Sequence, residues 1–158
     1  MKILAFDQST KITGWALYNN NSLDQYGKID LHDIANTNER SSNMGKAIIS
    51  LVKNVQPDLI VAEEVSLQNP NVRTVVELSR IQGIVLSAAI LCGLPSPTFY
   101  SPSEWRKKVG IQTGRGIKRQ ELKKAAISMV AQNYGIQVSD DIADAILIGQ
   151  CAIAQATE

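Results

Sequence analysis

An α/β fold is what this sequence predicts: a mixed five-stranded sheet, an antiparallel meander continued by parallel strands, with helices on both faces. Three observations carry that reading. The elements run β-β-β-α-β-α-β-α-α, three strands before any helix and then strands alternating with helices. The first and fourth strands are short unbroken apolar runs, as strands buried on both faces are. An Asn-Asn-Asn-Ser cluster at 19–22 separates the second and third strands and reads as a turn.

The elements follow in order. Lys2 to Asp7 is a buried strand ending at a carboxylate. Thr13 to Tyr18 alternates Thr13, Trp15 and Leu17 against Gly14, Ala16 and Tyr18, the period of a half-buried strand. Leu23 to Leu31 completes the meander. Thr37 or Asn38 is placed to cap a helix running to Val55, with Met44, Ile48, Leu51, Val52 and Val55 at helical spacing, and Gln56-Pro57-Asp58 ends it. Leu59 to Ala62, bounded by Asp58 and Glu63, is a central strand. Pro70 opens a helix to about Leu91, closed by Gly93 and Pro95. The apolar residues of that helix go round more than one face, so it is expected to be covered on two sides, by the domain and by a second subunit. Pro97 to Tyr100 is a short strand, Pro102 to Val109 a short helix, and 110–116 a glycine-bearing loop. Lys118 to Asn133 is a basic amphipathic helix, and Ser139 is placed to cap a last helix to about Ala156. No repeat or linker interrupts the chain, so residues 1–158 are expected to form one domain.

With 44% hydrophobic and 20% charged residues, the composition is that of a globular protein and excludes extensive disorder. The opening apolar stretch is too short for a secretory leader and carries Lys2 and Asp7, so a soluble cytoplasmic protein is expected. Cys92 and Cys151 stand apart in apolar runs, without zinc or redox spacing, and His32 is the sole histidine. Any metal must therefore be held by oxygen ligands, which favours magnesium or manganese. The net charge of +1 says little, but its distribution says more. Eight of the sixteen basic residues fall between Arg106 and Lys124, where Glu121 is the only acid. Such a density suits a phosphate-binding surface better than an ordinary solvated face.

Asp7 and Glu63 each close an apolar strand that holds no other acid. Strand ends open into the cleft of a helix-covered sheet, and a carboxylate there is costly unless paired or bound to a cation. Asp141 and Asp144, spaced i and i+3, share one face near the positive end of the last helix. Capping and salt bridging would explain such acids one at a time; convergence on one divalent-cation site would explain all four together.

These residues sit in three stretches that resemble the RuvC family of Holliday-junction resolvases, within the RNase H-like superfamily. The stretches are Ile3-Leu4-Ala5-Phe6-Asp7-Gln8-Ser9-Thr10-Lys11-Ile12-Thr13-Gly14, Leu59-Ile60-Val61-Ala62-Glu63-Glu64-Val65 and Asp141-Ile142-Ala143-Asp144-Ala145. The resemblance implies an RNase H-like fold and a homodimer. It implies two-metal hydrolysis of branched DNA, giving paired nicks in four-way junctions, and the divergence of the chain extends the expected substrates to forks and flaps. Asp7, Glu63, Asp141 and Asp144 match the metal-binding carboxylates, for two Mg2+ ions with Mn2+ able to substitute. Lys118 matches a basic residue near the scissile phosphate and joins the catalytic set. Arg106, Lys107, Lys108, Arg115, Arg119 and Lys123 would hold the DNA backbone beside it. Glu64 and Asp140 fall next to matched positions as supporting or incidental acids.

Two departures stand out. The usual Pro-Gly after the first aspartate is Gln8-Ser9, and Ser66-Leu67-Gln68-Asn69-Pro70 has no aromatic where relatives place a base-wedging ring. The divergence suggests a phage or mobile-element member. Alternative readings are another nuclease of the superfamily, acting on RNA or in transposition, and a junction-binding protein without catalysis. An actin-like ATPase or sugar kinase would need a second lobe and a glycine-rich adenosine motif, neither of which is expected here.

Overall fold

The computed structural model describes residues 1–156. Its elements are β1 (Lys2–Asp7), β2 (Ile12–Asn19), β3 (Ser22–Asp30), α1 (Thr37–Val55), β4 (Leu59–Glu63), α2 (Val72–Leu91), β5 (Thr98–Tyr100), α3 (Pro102–Val109), α4 (Arg119–Tyr134) and α5 (Asp140–Ala156). The sheet order is β3-β2-β1-β4-β5. The β1–β2 and β2–β3 pairs are antiparallel, and the β1–β4 and β4–β5 pairs parallel.

Alternation along β1 divides the interior in two. Ile3 and Ala5 join Val61, Trp105, Val130 and the buried face of α5 in one core. Leu4 and Phe6 join Ile60, Met44, Ile48, Ile81 and Val85 beneath α1 and α2 in the other. Both faces of the central strands are thus covered, which is why they read as unbroken apolar runs.

Small residues let α5 lie close on the sheet. A Cβ on Gly149 would fall 2.4 Å from the Tyr18 ring, and one on Gly14 would fall 1.9 Å from the Asp141 carbonyl oxygen. Tyr18 fastens the contact: its buried hydroxyl donates to the Ile146 carbonyl at 2.8 Å and lies 3.0 Å from the Tyr134 hydroxyl. Trp15 pairs across to Gly27 and lays its indole over that glycine.

Several expected details are corrected. Asn36, rather than Thr37 or Asn38, caps α1, its side chain accepting from the Glu39 N–H. Pro70 stays outside α2, and Asn71 caps that helix through the Thr74 N–H. Ser139 precedes α5 as expected, but its buried hydroxyl has no hydrogen-bond partner among the described residues. Only its carbonyl takes part, accepting from Ala143. The two-sided cover expected for α2 is met on the domain side, and the side expected to face a second subunit is exposed among the described residues. Ile81, Val85, Ala88 and Ala89 are buried, while Val72, Val76, Leu86, Ile90 and Leu91 are exposed. In length and composition α2 would suffice to cross a bilayer, but Arg73, Glu77 and Arg80 lie along it and its inner face is part of the domain core.

Candidate active site

Strand register places the first two acids side by side. Phe6 pairs with Ala62 in the parallel β1–β4 ladder, so the next residues, Asp7 and Glu63, leave adjacent strands together. Neighbouring strands lie about 4.8 Å apart. The period of two that turns Ala5 and Val61 toward α5 turns Asp7 and Glu63 the same way. Across from them the first turns of α5 present Asp141 and Asp144, brought near because Asp7 pairs with Gly14 and Gly14 has no Cβ to hold the helix off. All four acids line one cleft of about 320 Å³.

Electrostatics record the crowding. Burial, then the negative charges of Glu63, Asp144 and Asp141, hold the Asp7 carboxyl well above the usual carboxylate range. Asp144 is pushed up to about 7 by burial and by Glu63. Asp141 is raised by burial and by Asp140. Glu63 is raised by burial, against the opposing effects of the Trp105 hydrogen bond, Arg106 and Arg119. Asp140 behaves differently: burial would raise it, but its ion pair with Lys123 outweighs that and lowers it.

Among the described residues, no three acid, imidazole or thiol side chains close into a finished metal cage. The acids face one another instead, with Arg106 offsetting part of their charge: its Nη2 lies 3.9 Å from Asp144 Oδ2. The donor set nonetheless fits a hard divalent cation. It is all oxygen, is drawn from three elements, and carries repulsion that a 2+ charge would relieve.

The basic residues divide. Arg106, expected beside the flanking DNA backbone, lines the cleft itself, as do Arg119 and Lys123. Lys118 is exposed at the start of α4, its N–H donating to the Glu121 carboxylate at 2.7 Å. Arg115 is exposed on the loop between Gly114 and Gly116, both at positive φ; Lys107 is exposed on α3, and Lys108 is half-buried there. None of these four lines the cleft.

Three participants escaped sequence reasoning. Gln8 is buried beside Asp7 and donates its amide to the Glu63 carbonyl at 2.6 Å. Trp105 is fully buried and donates its indole N–H to Glu63 Oε2 at 2.7 Å, while the Arg106 guanidinium lies over its ring, 4.7 Å from the centroid. Gln82 bridges the loop after Glu63, donating to Glu64 Oε1 at 2.8 Å and accepting from the Val65 N–H at 3.0 Å. A signal existed for Trp105: a tryptophan inside a Lys/Arg run must bury its ring and find an acceptor for its N–H.

Comparison with known proteins adds the following. The family model described as crossover junction endodeoxyribonuclease RuvC matches residues 3–152. The RuvC of Syntrophomonas wolfei is 27% identical over 158 residues, covering 96% of this chain and 87% of that protein. The RuvC of Dictyoglomus thermophilum is 26% identical over 152 residues, covering 94% and 93%. The structure of T. thermophilus RuvC in complex with Holliday junction substrate aligns with a TM-score of 0.76 at 17% identity, covering 99% of this chain and 95% of that one. The yeast mitochondrial Holliday junction resolvase Ydc2 aligns with a TM-score of 0.60 at 18% identity, covering 98% and 78%. At these identities the structural likeness speaks for the fold.

Proposed function

This chain belongs to the RuvC family of crossover junction endodeoxyribonucleases, and from that premise we propose that it resolves Holliday junctions with Asp7, Glu63, Asp141 and Asp144 as its metal-binding carboxylates. The observation that carries the reading is the meeting of these four acids, from two adjacent strand ends and one helix, in a single cleft. The family is metal-dependent; two Mg2+ ions per site, replaceable by Mn2+, suit the all-oxygen donors. When bound, such ions activate water and stabilise the leaving oxygen of the phosphodiester.

The chain's own residues do the rest. Asp7 and Glu63, fixed on the sheet, and Asp141 and Asp144, fixed on α5, hold the cations without relying on a mobile loop. Arg106, in contact with Asp144 and braced on Trp105, is placed to bind the phosphate as negative charge builds on it. Arg119 and Lys123 continue the positive charge along one wall. Lys118, Arg115, Lys107 and Lys108 extend it to phosphates further along the strand, contacts that position DNA without reading its sequence. Lys118 remains the candidate for a phosphate next to the scissile bond.

Where an aromatic is missing, Leu67 stands 86% exposed on the loop leading from Glu63 to α2. Apolar side chains of this size serve as wedges against unstacked bases in other DNA-bending proteins.

The outer stripe of α2 is the surface for a second copy. Val72, Val76, Ser79, Gly83, Leu86 and Ile90 are all exposed and follow one another at alternating steps of four and three, the seam that packs against another helix. The Ser79 hydroxyl donates to the Val75 carbonyl, so it places no unmet polar demand on the seam. A two-fold dimer would bring two active sites to a two-fold-symmetric junction in the cytoplasm, one nick from each.

The test of substrate class is a panel of labelled four-way junction, fork, flap, linear duplex and RNA–DNA hybrid, each in Mg2+ and in EDTA. Paired, EDTA-sensitive nicks concentrated in the junction are expected. Preferential cutting of the hybrid would replace this function with an RNA-directed one, and tight junction binding without cutting would leave only a binding role.

A further inference from the structure

We propose that Trp105 is a positioning residue for Glu63, its indole N–H holding one carboxylate oxygen so that the other is presented to a divalent cation. The inference rests on the reading of Glu63 as a metal ligand and adds a residue that reading does not require.

The indole sits in the α3–α5 core with no exposed surface, so its N–H must find a protein acceptor. Its acceptor is Glu63 Oε2, at 2.7 Å, the short end of the N–H···O range. Glu63 is also gripped at its backbone. The Gln8 amide nitrogen lies 2.6 Å from the Glu63 carbonyl, which can only accept, so that end of the side chain must be the NH2. Glutamate has three rotatable side-chain bonds, and freezing them when an ion arrives costs affinity. Held at carbonyl and carboxylate beforehand, Glu63 is already ordered. Arg106 follows Trp105 on α3 and stacks on its ring, so the same short helix sets the ligand and the guanidinium together. α3 is itself anchored by a Ser101–Glu104 capping box.

A buried tryptophan could instead be only a piece of the core. Mg2+ titration by calorimetry, without DNA, separates the two roles in wild type, Trp105→Phe, Glu63→Gln and the double variant. Phenylalanine keeps a buried ring and removes the donor. Losing such a partner of a ligand is expected to weaken Mg2+ binding about 10- to 100-fold. In the Glu63→Gln background the same substitution should leave Mg2+ binding unchanged within about twofold. Wild-type affinity in Trp105→Phe, or an equal loss in both backgrounds, would overturn the inference while leaving Glu63 a ligand. Unchanged binding in Glu63→Gln would overturn the metal site itself, and the inference with it.

Should Trp105→Phe not fold, the wild-type protein still decides. Of the two indole N–H resonances, that of Trp105, identified with Trp15→Phe, should shift during the Mg2+ titration and saturate at the calorimetric midpoint. A resonance that does not move contradicts the proposal.

Discussion

Asp7 and Glu63 were legible as candidate site residues because each is the single acid at the end of an apolar strand, where capping or salt bridging explains one such carboxylate more readily than two. Trp105 and Gln8 were not, since their partner is fixed only by folding: Glu63 lies 42 residues before Trp105 and 55 after Gln8. Arg106 looked like one basic residue among eight, and only the packing of α3 singles it out by laying it over Trp105 and against Asp144. Its truncation tests that placement: Arg106→Ala should slow junction cleavage about 10²- to 10³-fold while leaving low-salt binding nearly intact. A loss of binding with unchanged turnover would return Arg106 to the flanking contacts. The raised acids give a second prediction. Asp7 and Asp144 bind protons more tightly folded than unfolded, so their contribution to stability is full below the unfolded value and is lost as pH rises through the raised folded values, which for Asp144 is about 7. Asp140 and Asp30 have the opposite sign, but that contribution is lost only as pH falls through their lowered values. Metal-free protein should therefore melt lower at pH 7 than at pH 5, by about 5 °C or more, and saturating Mg2+ should remove the slope. A flat metal-free profile measured by calorimetry would show that the acids do not crowd one another.

Among the elements, α5 matters most, since it carries half the carboxylates and closes one core. Its existence and extent were readable from Ile142, Ala143, Ala145, Ile146 and the residues that follow. Its closeness to the sheet was not, because that depends on Gly14 and Gly149, which read in the sequence only as small residues at strand and helix positions. Gly14→Ala tests the dependence. A Cβ would meet the Asp141 carbonyl at 1.9 Å, and neither the helix nor the strand can yield without moving the acids. The expected result is a loss of about 3 kcal/mol in stability by denaturant unfolding, together with weaker Mg2+ binding in whatever fraction folds. A stable variant with native Mg2+ affinity would show that α5 sits on the sheet more loosely than described. Cap residues were the least legible features: Asn36 caps α1 just before the expected Thr37 or Asn38, Asn71 caps α2 just after the expected start at Pro70, and the Ser139 hydroxyl has no partner among the described residues. Neighbouring polar residues offer nearly equal caps, so tertiary packing decides among them.

At the scale of the whole molecule, the surplus apolarity of α2 led to an expectation of cover on two sides, and among the described residues the domain core covers one of them. The exposed stripe from Val72 to Ile90 supports a dimer whose two sites act together. Leu86→Glu combined with Ile90→Glu should give a folded species near the 17.2 kDa of one chain by light scattering, where wild type gives twice that mass. The variant should nick junctions singly and without coordination. A variant that remains dimeric would move the interface elsewhere. The cleft presents the complementary picture, acids at its floor and basic residues on its wall, in a protein whose net charge is only +1. The most direct test of its role is cleavage of a labelled four-way junction by wild type, Asp7→Asn and Glu63→Gln, with binding measured on the same samples. Each substitution should reduce paired nicking by about 10³-fold or more with junction affinity retained. Nicking at wild-type rates by either variant would contradict the account.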